Sequence, residues 1–291
     1  MAGRVLVLGA TGNVGAALVA ALASRGESVA AATRRPGSAS AGRRGVVEVR
    51  FDYDDPGTFA AALYGADRVF LAARPGDDTA DRTAIPFIDA ARDAGVRLVV
   101  ALTAMGVDRL DGAALRTIER HIERSGLAWT HLRPNFFMQI FAREPLVTGT
   151  RAASVLRVPA GDAALSFVDV RDIAEVGAAV LTTPGHEGHA YTLTGPSALT
   201  HYEVAALLSG AMGTAVRYEP LDDGLARTAL AGSGLPPARV DRLLGFYRLV
   251  RAGWCSPVST DVASILGRPP RNMGEFVREH ASIWAAASPS A

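Results

Sequence analysis

The sequence contains no lysine, so all 30 of its basic residues are arginines. The 29 acidic residues balance them, and a formal net charge of +1 leaves no long-range field that would attract nucleic acid. We find no stretch in which basic residues alternate with aromatic ones, the pattern of many nucleic-acid-binding surfaces. We therefore expect no nucleic-acid partner.

Cysteine is nearly absent, which excludes an internal disulfide because Cys255 has no second thiol. Cysteines and histidines also form no cluster with the spacing of a metal site. His186 and His189 lie in the glycine-rich segment "PGHEGHAY" without a third ligand nearby, so a surface loop is expected there. The sequence predicts no metal and is typical of a reduced, cytoplasmic protein.

Long hydrophobic runs are missing as well. No apolar segment reaches the roughly 18 to 20 residues that a membrane span requires. Regularly spaced glycines interrupt the apolar N-terminal stretch, unlike a secretory signal, so we expect no membrane partner. With 291 residues, 49% of them apolar, the chain can form one large domain or a domain with a smaller lobe.

The first two-thirds of the chain instead alternate short Val- and Leu-rich runs with segments of helical period. The runs "RVLVLGA", "SVAAATR", "VVEVRFD", "DRVFLAA", "RLVVALT" and "AWTHLRP" lack strict polar alternation, as expected for a parallel sheet covered on both faces. We predict a doubly wound α/β (Rossmann) sheet in residues 1–150. Residues 151–285 would return to the sheet and form a smaller, mainly helical lobe, and residues 286–291 would be a disordered tail.

Local signals mark several boundaries. Asp55 before Pro56 predicts a helix cap with proline at the first helical position, and Thr200 with Glu203 predicts a capping box. The segments "ALSFVDVRDIAEVGAAVL" and "AYTLTG" predict a strand, a helix and a second strand that return to the sheet.

The stretch "VLVLGATGNVGAALVAAL" places Gly9, Gly12 and Gly15 between a strand and a helix. In that context glycines permit a tight turn, a close approach of the backbone to a pyrophosphate and close packing of the helix. The helix N-terminus itself attracts phosphate. We predict a dinucleotide site at this turn.

The second strand ends in "ATRRP", without the acid that binds the ribose 2′-hydroxyl of NAD. Arg34 and Arg35 instead offer planar, charged donors that suit the 2′-phosphate of NADP. Asp52 and Tyr53 end the third strand, where they would border the adenine. The predicted cofactor is NADP(H), which makes residues 1–150 an NADP-binding Rossmann core.

Segments along almost the whole chain carry a resemblance to a known family: "GATGNVG", "FDYDD", "VFLAA", "SGLAWTHLRPNFFMQ", "LSFVDVRDIAEV" and "YTLTGPSALTHYEVA". Together they resemble the NmrA-like branch of atypical short-chain dehydrogenases/reductases, especially its azoreductase- and quinone-reductase-like members. That family includes NADPH-dependent reductases of quinones, enones and related ligands, and also redox sensors that bind NADP without turning it over.

The resemblance implies binding roles at the ends of successive strands. It places the pyrophosphate at the glycine turn, the 2′-phosphate at Arg34, and the ribose and nicotinamide along the fourth to sixth strands. The implied cofactor-binding residues are Gly9, Thr11, Gly12, Asn13, Val14, Arg34, Asp52, Tyr53, Ala72, Ala73, Thr103, Ala104, Met105, Pro134, Asn135 and Phe136.

The catalytic machinery departs from the family pattern. Most short-chain dehydrogenases use a tyrosine whose pKa is lowered by a lysine four residues later. A chain without lysine cannot form that pair, and the two positions fall near Asp111 and Leu115. Leu115 shares helical spacing with Ile118 and Ile122, which predicts packing. Two candidate catalytic residues remain, Asp111 as a proton carrier or a solvated acid, and Thr103 as a partner for a substrate oxygen or an ordinary strand-end threonine.

Aromatic residues concentrate in the segments "RPNFFMQIF" and "FYRLVRAGW". Facing each other, they would make a flat apolar slot for an aromatic or quinonoid ligand; the alternative is an ordinary core of the C-terminal lobe. The candidate substrate-binding residues are Phe137, Met138, Phe246, Tyr247 and Trp254. His131 is expected to be a satisfied buried histidine, and Cys255 a packing residue.

The leading hypothesis is an NADPH-dependent oxidoreductase that reduces a small flat apolar acceptor, such as a quinone, an enone or an aromatic ketone, without a Tyr-Lys pair. The alternatives are a non-catalytic NADP(H) redox sensor and a redox-neutral isomerase or cyclase that keeps the nucleotide as a scaffold. The arginine- and alanine-rich composition indicates a GC-rich genome and is compatible with bacterial secondary metabolism. We expect a monomer or a homodimer.

Overall fold

The chain forms two compact units that interleave along the sequence. The computed structural model describes residues 3–37, 43–74, 76–142, 150 and 153–284, and the predicted tail at residues 286–291 lies outside them. The first unit contains Met1–Pro134, Val170–Leu193 and Asp261–Arg268, and the second contains Asn135–Asp169, Thr194–Thr260 and Pro269–Ala291. This division differs from a single boundary at residue 150 because later segments of the chain rejoin the first unit.

A parallel sheet organises the first unit. The strands among the described residues are, in order, β1 (Arg4–Val7), β2 (Val29–Thr33), β3 (Val46–Arg50), β4 (Ala66–Ala72), β5 (Leu98–Leu102), β6 (Ala128–Pro134), β7 (Val155–Val158), β8 (Ala164–Leu165), β9 (His189–Leu193), β10 (Leu199–Thr200) and β11 (Arg217–Pro220). Within the described residues, seven of them pair in the order β3-β2-β1-β4-β5-β6-β9, all parallel. The predicted doubly wound sheet is confirmed, and its order reverses between β1 and β4.

Helices cover both faces of this sheet. In the part of the chain that the structure describes, the helices are α1 (Asn13–Ser24), α2 (Phe59–Leu63), α3 (Ala80–Asp93), α4 (Ala114–Arg124), α5 (Val170–Thr182), α6 (His201–Met212), α7 (Asp223–Gly232), α8 (Pro237–Arg251), α9 (Asp261–Leu266), α10 (Met273–Glu279) and α11 (Ala281–Trp284). No helix within the described ranges is long and apolar enough to cross a membrane.

The strand β4 shows why its sequence lacks polar alternation. Val69 belongs to the buried cluster that contains Phe87 of α3. On the opposite face, a Cβ on Gly177 of α5 would lie 3.4 Å from Leu18 of α1 and 3.7 Å from Phe70. Because both faces of the strand are covered there, its successive residues from Val69 to Ala72 are all apolar.

In its described residues the second unit is mainly helical, with two small sheets formed by β7 with β11 and by β8 with β10. Its core includes the fully buried side chains of Leu156, Phe276 and Trp284. Trp284 Nε1 donates to Phe141 O at 3.0 Å, so the largest core side chain also has its polar atom satisfied.

Two local predictions are corrected. The predicted strand "ALSF" contains β8, which pairs with β10 in the second unit, whereas α5 and β9 return to the main sheet as predicted. Asp55 precedes a 3-10 turn at Pro56–Thr58, but its carboxylate lies 3.1 Å from Arg50 instead of capping the turn. The capping box of α6 is confirmed, with Glu203 N donating to Thr200 Oγ1 at 3.2 Å.

Candidate functional site

The turn after β1 is so tight that two of its glycines, Gly9 and Gly15, could not carry a side chain without strain. Gly9 has a φ of +67°, a conformation that residues with a Cβ rarely adopt. Gly12 N donates to Gly9 O at 2.8 Å and closes the turn. A Cβ on Gly15 would lie 2.1 Å from Gly9 O, so only glycine fits where α1 packs against the turn.

The N-terminus of α1 follows this turn, with Gly12 in the capping position. Among the described residues, no side chain caps this helix end, and its first turn contains no acid. The first amides of a helix lack intrahelical partners, and the helix dipole adds positive potential there. Thr11, Asn13 and Val14 frame these amides, so the residues present fit a pyrophosphate.

The turn faces the end of β4 at the point where the strand order reverses. A Cβ on Gly9 would lie 3.5 Å from Ala72 Cβ, and Leu8 N donates to Phe70 O at 2.9 Å. Ala72 and Ala73 are small and half-buried, which leaves room along this edge. Doubly wound sheets bind dinucleotides in this crevice.

The predicted phosphate-binding arginines directly follow β2. Arg34 and Arg35 are both exposed, and Arg35 N donates to Thr33 Oγ1 at 3.3 Å. Phe51 N donates to Thr33 O at 3.0 Å, so the end of β3 lies beside the end of β2. Asp52 and the two arginines therefore leave neighbouring strands at the same edge.

The sequence reading missed Arg74, which follows β4 and joins this edge. Its Nη2 lies 2.6 Å from Asp54 Oδ2 and 3.3 Å from Asp52 Oδ1. Its Cζ lies 5.9 Å from the Tyr53 ring centroid, and Tyr53 Oη donates to Ala72 O at 3.1 Å. The hydrogen bond that Arg74 donates to Asp54 raises the pKa of Arg74, and burial raises the pKa of Tyr53. The signal for Arg74 was its position one residue past the "VFLAA" strand end.

The ends of β5 and β6 are tied together by backbone hydrogen bonds. Thr103 N donates to Leu132 O at 2.8 Å, and Met105 N donates to Pro134 O at 3.0 Å. Ala104 and Met105 are half-buried. These contacts hold in place the strand ends to which the nicotinamide was assigned.

Beneath this edge lies a buried charged cluster that sequence reasoning did not find, and it changes the role of Thr103. The Thr103 hydroxyl donates to Glu119 Oε1 at 2.8 Å. Arg133 donates to both oxygens of the same carboxylate, at 2.9 Å each, and Arg116 approaches one at 2.8 Å. Glu119 is fully buried, and Thr103 is 8% exposed. Because its proton is committed to Glu119, Thr103 can offer a ligand only its oxygen lone pairs.

Burial alone would raise the pKa of Glu119. The hydrogen bonds from Arg133 and Thr103, with the charge of Arg133, outweigh that effect and hold the pKa below its usual value. Glu119 is therefore an ionised carboxylate inside the first unit, neutralised by arginine.

Glu119, Glu123 and His131 bring three potential metal ligands within 4.8 Å of one another. Arg116 Nη1 lies 2.8 Å from Glu119 Oε2 and 3.0 Å from Glu123 Oε1, so a guanidinium already bridges the two carboxylates. A metal ion would also be repelled by Arg133. The cluster is suited to arginine rather than to a metal.

His131 is fully buried, as predicted, but it is not satisfied. Neither ring nitrogen makes a hydrogen bond within the described chain, and Nε2 lies 3.3 Å from Glu123 Oε1. Its ring stacks on Trp129 at 4.4 Å. Burial lowers the pKa of His131, and the carboxylates of Glu119 and Glu123 oppose this shift only in part.

The other candidate catalytic residue, Asp111, lies in an exposed turn. Its side chain is 77% exposed, and Arg120 Nη2 lies 2.6 Å from its carboxylate. Leu115 packs against the buried cluster that contains Ile118 and Ile122, as the helical spacing predicted. The structure thus places Asp111 in a solvated ion pair, apart from the buried cluster, and its role as a proton carrier stays a prediction.

The remaining candidates belong to the second unit. Asn135 is buried, and its amide donates to Ser166 Oγ at 2.8 Å and to Cys255 O at 2.7 Å. The rings of Phe136 and Tyr247 lie 6.3 Å apart, and burial raises the pKa of Tyr247 to about 12. The two hydrogen bonds donated by its amide give Asn135 a structural role inside its own unit.

The substrate candidates of this unit differ in exposure. Met138 is 1% exposed and packs in the core, whereas Phe246 is 45% exposed. Phe137 and Trp254 are half-buried. Burial raises the pKa of the Cys255 thiol to about 11, in keeping with a packing residue.

A model of the NmrA-like family matches residues 1–236. The chain belongs to the NmrA-like family. It is 35% identical over 288 residues to an NAD(P)H azoreductase of Xenophilus azovorans, covering 97% of this chain and 100% of the relative. It is 37% identical over 288 residues to a (4-alkanoyl-5-oxo-2,5-dihydrofuran-3-yl)methyl phosphate reductase of Streptomyces griseus, covering 97% and 99%.

Among solved structures, this NmrA-like chain is similar to the NADPH-dependent quinone oxidoreductase of Escherichia coli complexed with NADPH. The two share 25% identity with a TM-score of 0.85, covering 95% of this chain and 99% of the other. The family resemblance read from the sequence is therefore confirmed.

Proposed function

We propose that this NmrA-like protein is an NADPH-dependent oxidoreductase that reduces a small flat apolar acceptor. The observation that carries the proposal is the N-terminus of α1, which no side chain of the described residues caps and which follows a turn that admits only glycine at position 15. That cradle lies in a chain similar over almost its full length to an NAD(P)H azoreductase, and 25% identical to a quinone oxidoreductase crystallised with NADPH. Quinones, enones and aromatic ketones are the proposed acceptors.

The residues that would hold the cofactor lie along the carboxyl edge of the sheet. The amides from Thr11 to Val14 would bind the pyrophosphate, with Arg34 and Arg35 at the 2′-phosphate. Asp52, Tyr53, Ala72 and Ala73 would border the adenosine half, and the ends of β5 and β6 would border the nicotinamide half. When bound, NADPH supplies the hydride.

The protein's own contribution to the reaction is orientation. Thr103 offers lone pairs rather than a proton, because its hydroxyl donates to Glu119. Without lysine the chain has no Tyr-Lys pair. An acceptor whose reduced oxygen is delocalised needs only water or a weak donor to complete protonation, which is why quinones and enones suit this site.

Four aromatic side chains of the second unit, Phe137, Phe246, Tyr247 and Trp254, are proposed to contact the acceptor. We leave Met138 out of this set because it is buried in the core. A cytoplasmic location and a monomeric or homodimeric state are proposed with the function, as is a place in bacterial secondary metabolism.

The test is NADPH consumption by the purified protein across a panel of quinones, enones and aromatic ketones, with NADPH affinity measured in the same preparation. We expect saturable turnover with at least one class of acceptor. Tight binding of NADPH without turnover of any acceptor would overturn the proposal and favour a redox sensor. Weak binding of NADPH would also rule out NADPH as the cofactor.

A further inference from the structure

Arg74 stands between two aspartates at the edge where the adenosine half of the cofactor would bind. Its Nη2 lies 2.6 Å from Asp54 Oδ2 and 3.3 Å from Asp52 Oδ1. The side chain is 36% exposed, and those of Asp52 and Asp54 are 31% and 66% exposed. All three groups therefore face a space that solvent or a ligand can reach.

The strand register places these acids beside the arginines of β2. Thr33 pairs with Arg50 in the parallel ladder, and Phe51 N donates to Thr33 O at 3.0 Å. Arg34 and Asp52 each follow these paired segments, so they leave the sheet side by side. Arg50 does not neutralise Asp52 in the structure, because its guanidinium lies 3.1 Å from Asp55.

This placement creates an electrostatic conflict for a cofactor with a 2′-phosphate. A carboxylate beside the 2′ position repels a phosphate, and it also accepts hydrogen bonds from the 2′-hydroxyl of a cofactor without one. Left alone, Asp52 and Asp54 would therefore weaken NADPH binding and favour NADH. Arg74 removes the conflict by pairing with both.

We infer that Arg74 is a specificity-determining residue that favours NADPH over NADH by neutralising Asp52 and Asp54. The inference rests on the proposed function, because it takes NADPH as the cofactor. It adds to the proposed cofactor-binding residues one that acts through its contacts with Asp52 and Asp54 and not through the glycine turn.

The experiment compares the wild type with Arg74→Gln, measuring dissociation constants for NADPH and NADH by fluorescence titration at low salt. We expect the Kd for NADPH to rise about fivefold and the Kd for NADH to change less than about twofold, the range for a partly exposed charge pair. At roughly 0.5 M NaCl the difference should shrink, because salt screens exposed charges.

The matched control is Arg92→Gln. Arg92 also pairs with two aspartates, Asp89 at 3.4 Å and Asp93 at 3.0 Å, and is 45% exposed. It lies at the end of α3, away from the carboxyl edge of the sheet. We expect this variant to leave both affinities unchanged, and thermal unfolding checks that both variants fold.

A second variant separates charge from packing. Asp52→Asn and Asp54→Asn together in the Arg74→Gln background should restore most of the NADPH affinity, because both repelling carboxylates are gone. Equal losses for both cofactors, or no rescue, would overturn the inference. Arg34→Ala separates a failure of this inference from a failure of the proposed cofactor. If Arg34→Ala selectively weakens the binding of NADPH while Arg74→Gln does not, only the inference about Arg74 fails. If the wild type does not bind NADPH more tightly than NADH, the proposed cofactor fails as well.

Discussion

The two halves of the candidate cofactor edge are built from different groups. Around β1 and β4, the turn from Gly9 to Gly15 presents backbone amides that no side chain of the described chain caps. At β5 and β6, Thr103, Glu119 and Arg133 satisfy one another in a buried cluster. The first, open half has groups left to bind a ligand, whereas the second, closed half commits its charges internally and sets the geometry of the strand ends.

The largest effect is expected from a variant that disrupts the buried cluster of the closed half. Glu119→Gln would leave Arg116 and Arg133 without their buried counter-ion, and we expect a loss of about 3–5 kcal/mol in the free energy of unfolding. Urea unfolding measures it. Glu219→Gln is the control, since that carboxylate also bridges two arginines but is 38% exposed.

The control should unfold at nearly the same urea concentration as the wild type, because exposed ion pairs contribute little to stability. Equal losses in the two variants would show that burial does not distinguish the clusters.

Gly15→Ala would disrupt the glycine turn of the open half. The new Cβ would meet Gly9 O at 2.1 Å and push α1 away from the turn, so we expect the Kd for NADPH to rise more than about tenfold. Titration of NADPH fluorescence gives the affinity. Gly210→Ala on α6, where a Cβ meets nothing within 4 Å, should bind normally. If Gly15→Ala bound NADPH with wild-type affinity, the turn would not be part of the binding site.

The pH dependence of stability sharpens the comparison, because His131 belongs to the closed half. Its folded pKa is lowered by burial, so the folded state binds fewer protons than the unfolded state. His131 therefore contributes stability above its unfolded pKa of about 6.5, and this contribution is lost as the pH falls from there through the lowered pKa of the folded state.

His131→Phe, which can still stack on Trp129, should flatten the Tm profile below about pH 6.5. A His131→Phe profile that falls as steeply as that of the wild type would contradict the lowered pKa.

The smallest expected effect concerns Thr103. Since its proton is held by Glu119, Thr103→Val should lower kcat for the best acceptor by no more than about threefold, equivalent to less than about 1 kcal/mol. Steady-state kinetics with Thr103→Ser as the comparison measures it. A loss of about a hundredfold that serine restores would make Thr103 a direct proton donor.

The open half of the site was predictable from the sequence because its signals are local. Gly9, Gly12 and Gly15 lie within seven residues, and Arg34 and Arg35 follow a recognisable strand. The parallel sheet followed from apolar runs without alternation, a consequence of burial on both faces.

The closed half could not be predicted because its parts are distant in sequence and look ordinary. Glu119 stands in the charged helix "TIERHIER", where a solvated carboxylate is the usual outcome, and only the packing of α4 on β5 and β6 buries it. Arg74 is a similar case, since its aspartates lie some twenty residues earlier. The pairing of β8 with β10 depended on long-range contacts in the same way.

The interleaving of the two units has a consequence for how the protein is made on the ribosome. The seventh strand of the main sheet, β9, ends at Leu193, and α9 ends at Leu266. Residues 135–169, which belong to the second unit, are synthesised before either of them. Neither unit can be completed before the other has begun to emerge, so we expect the two units to acquire protection from protease together in nascent chains.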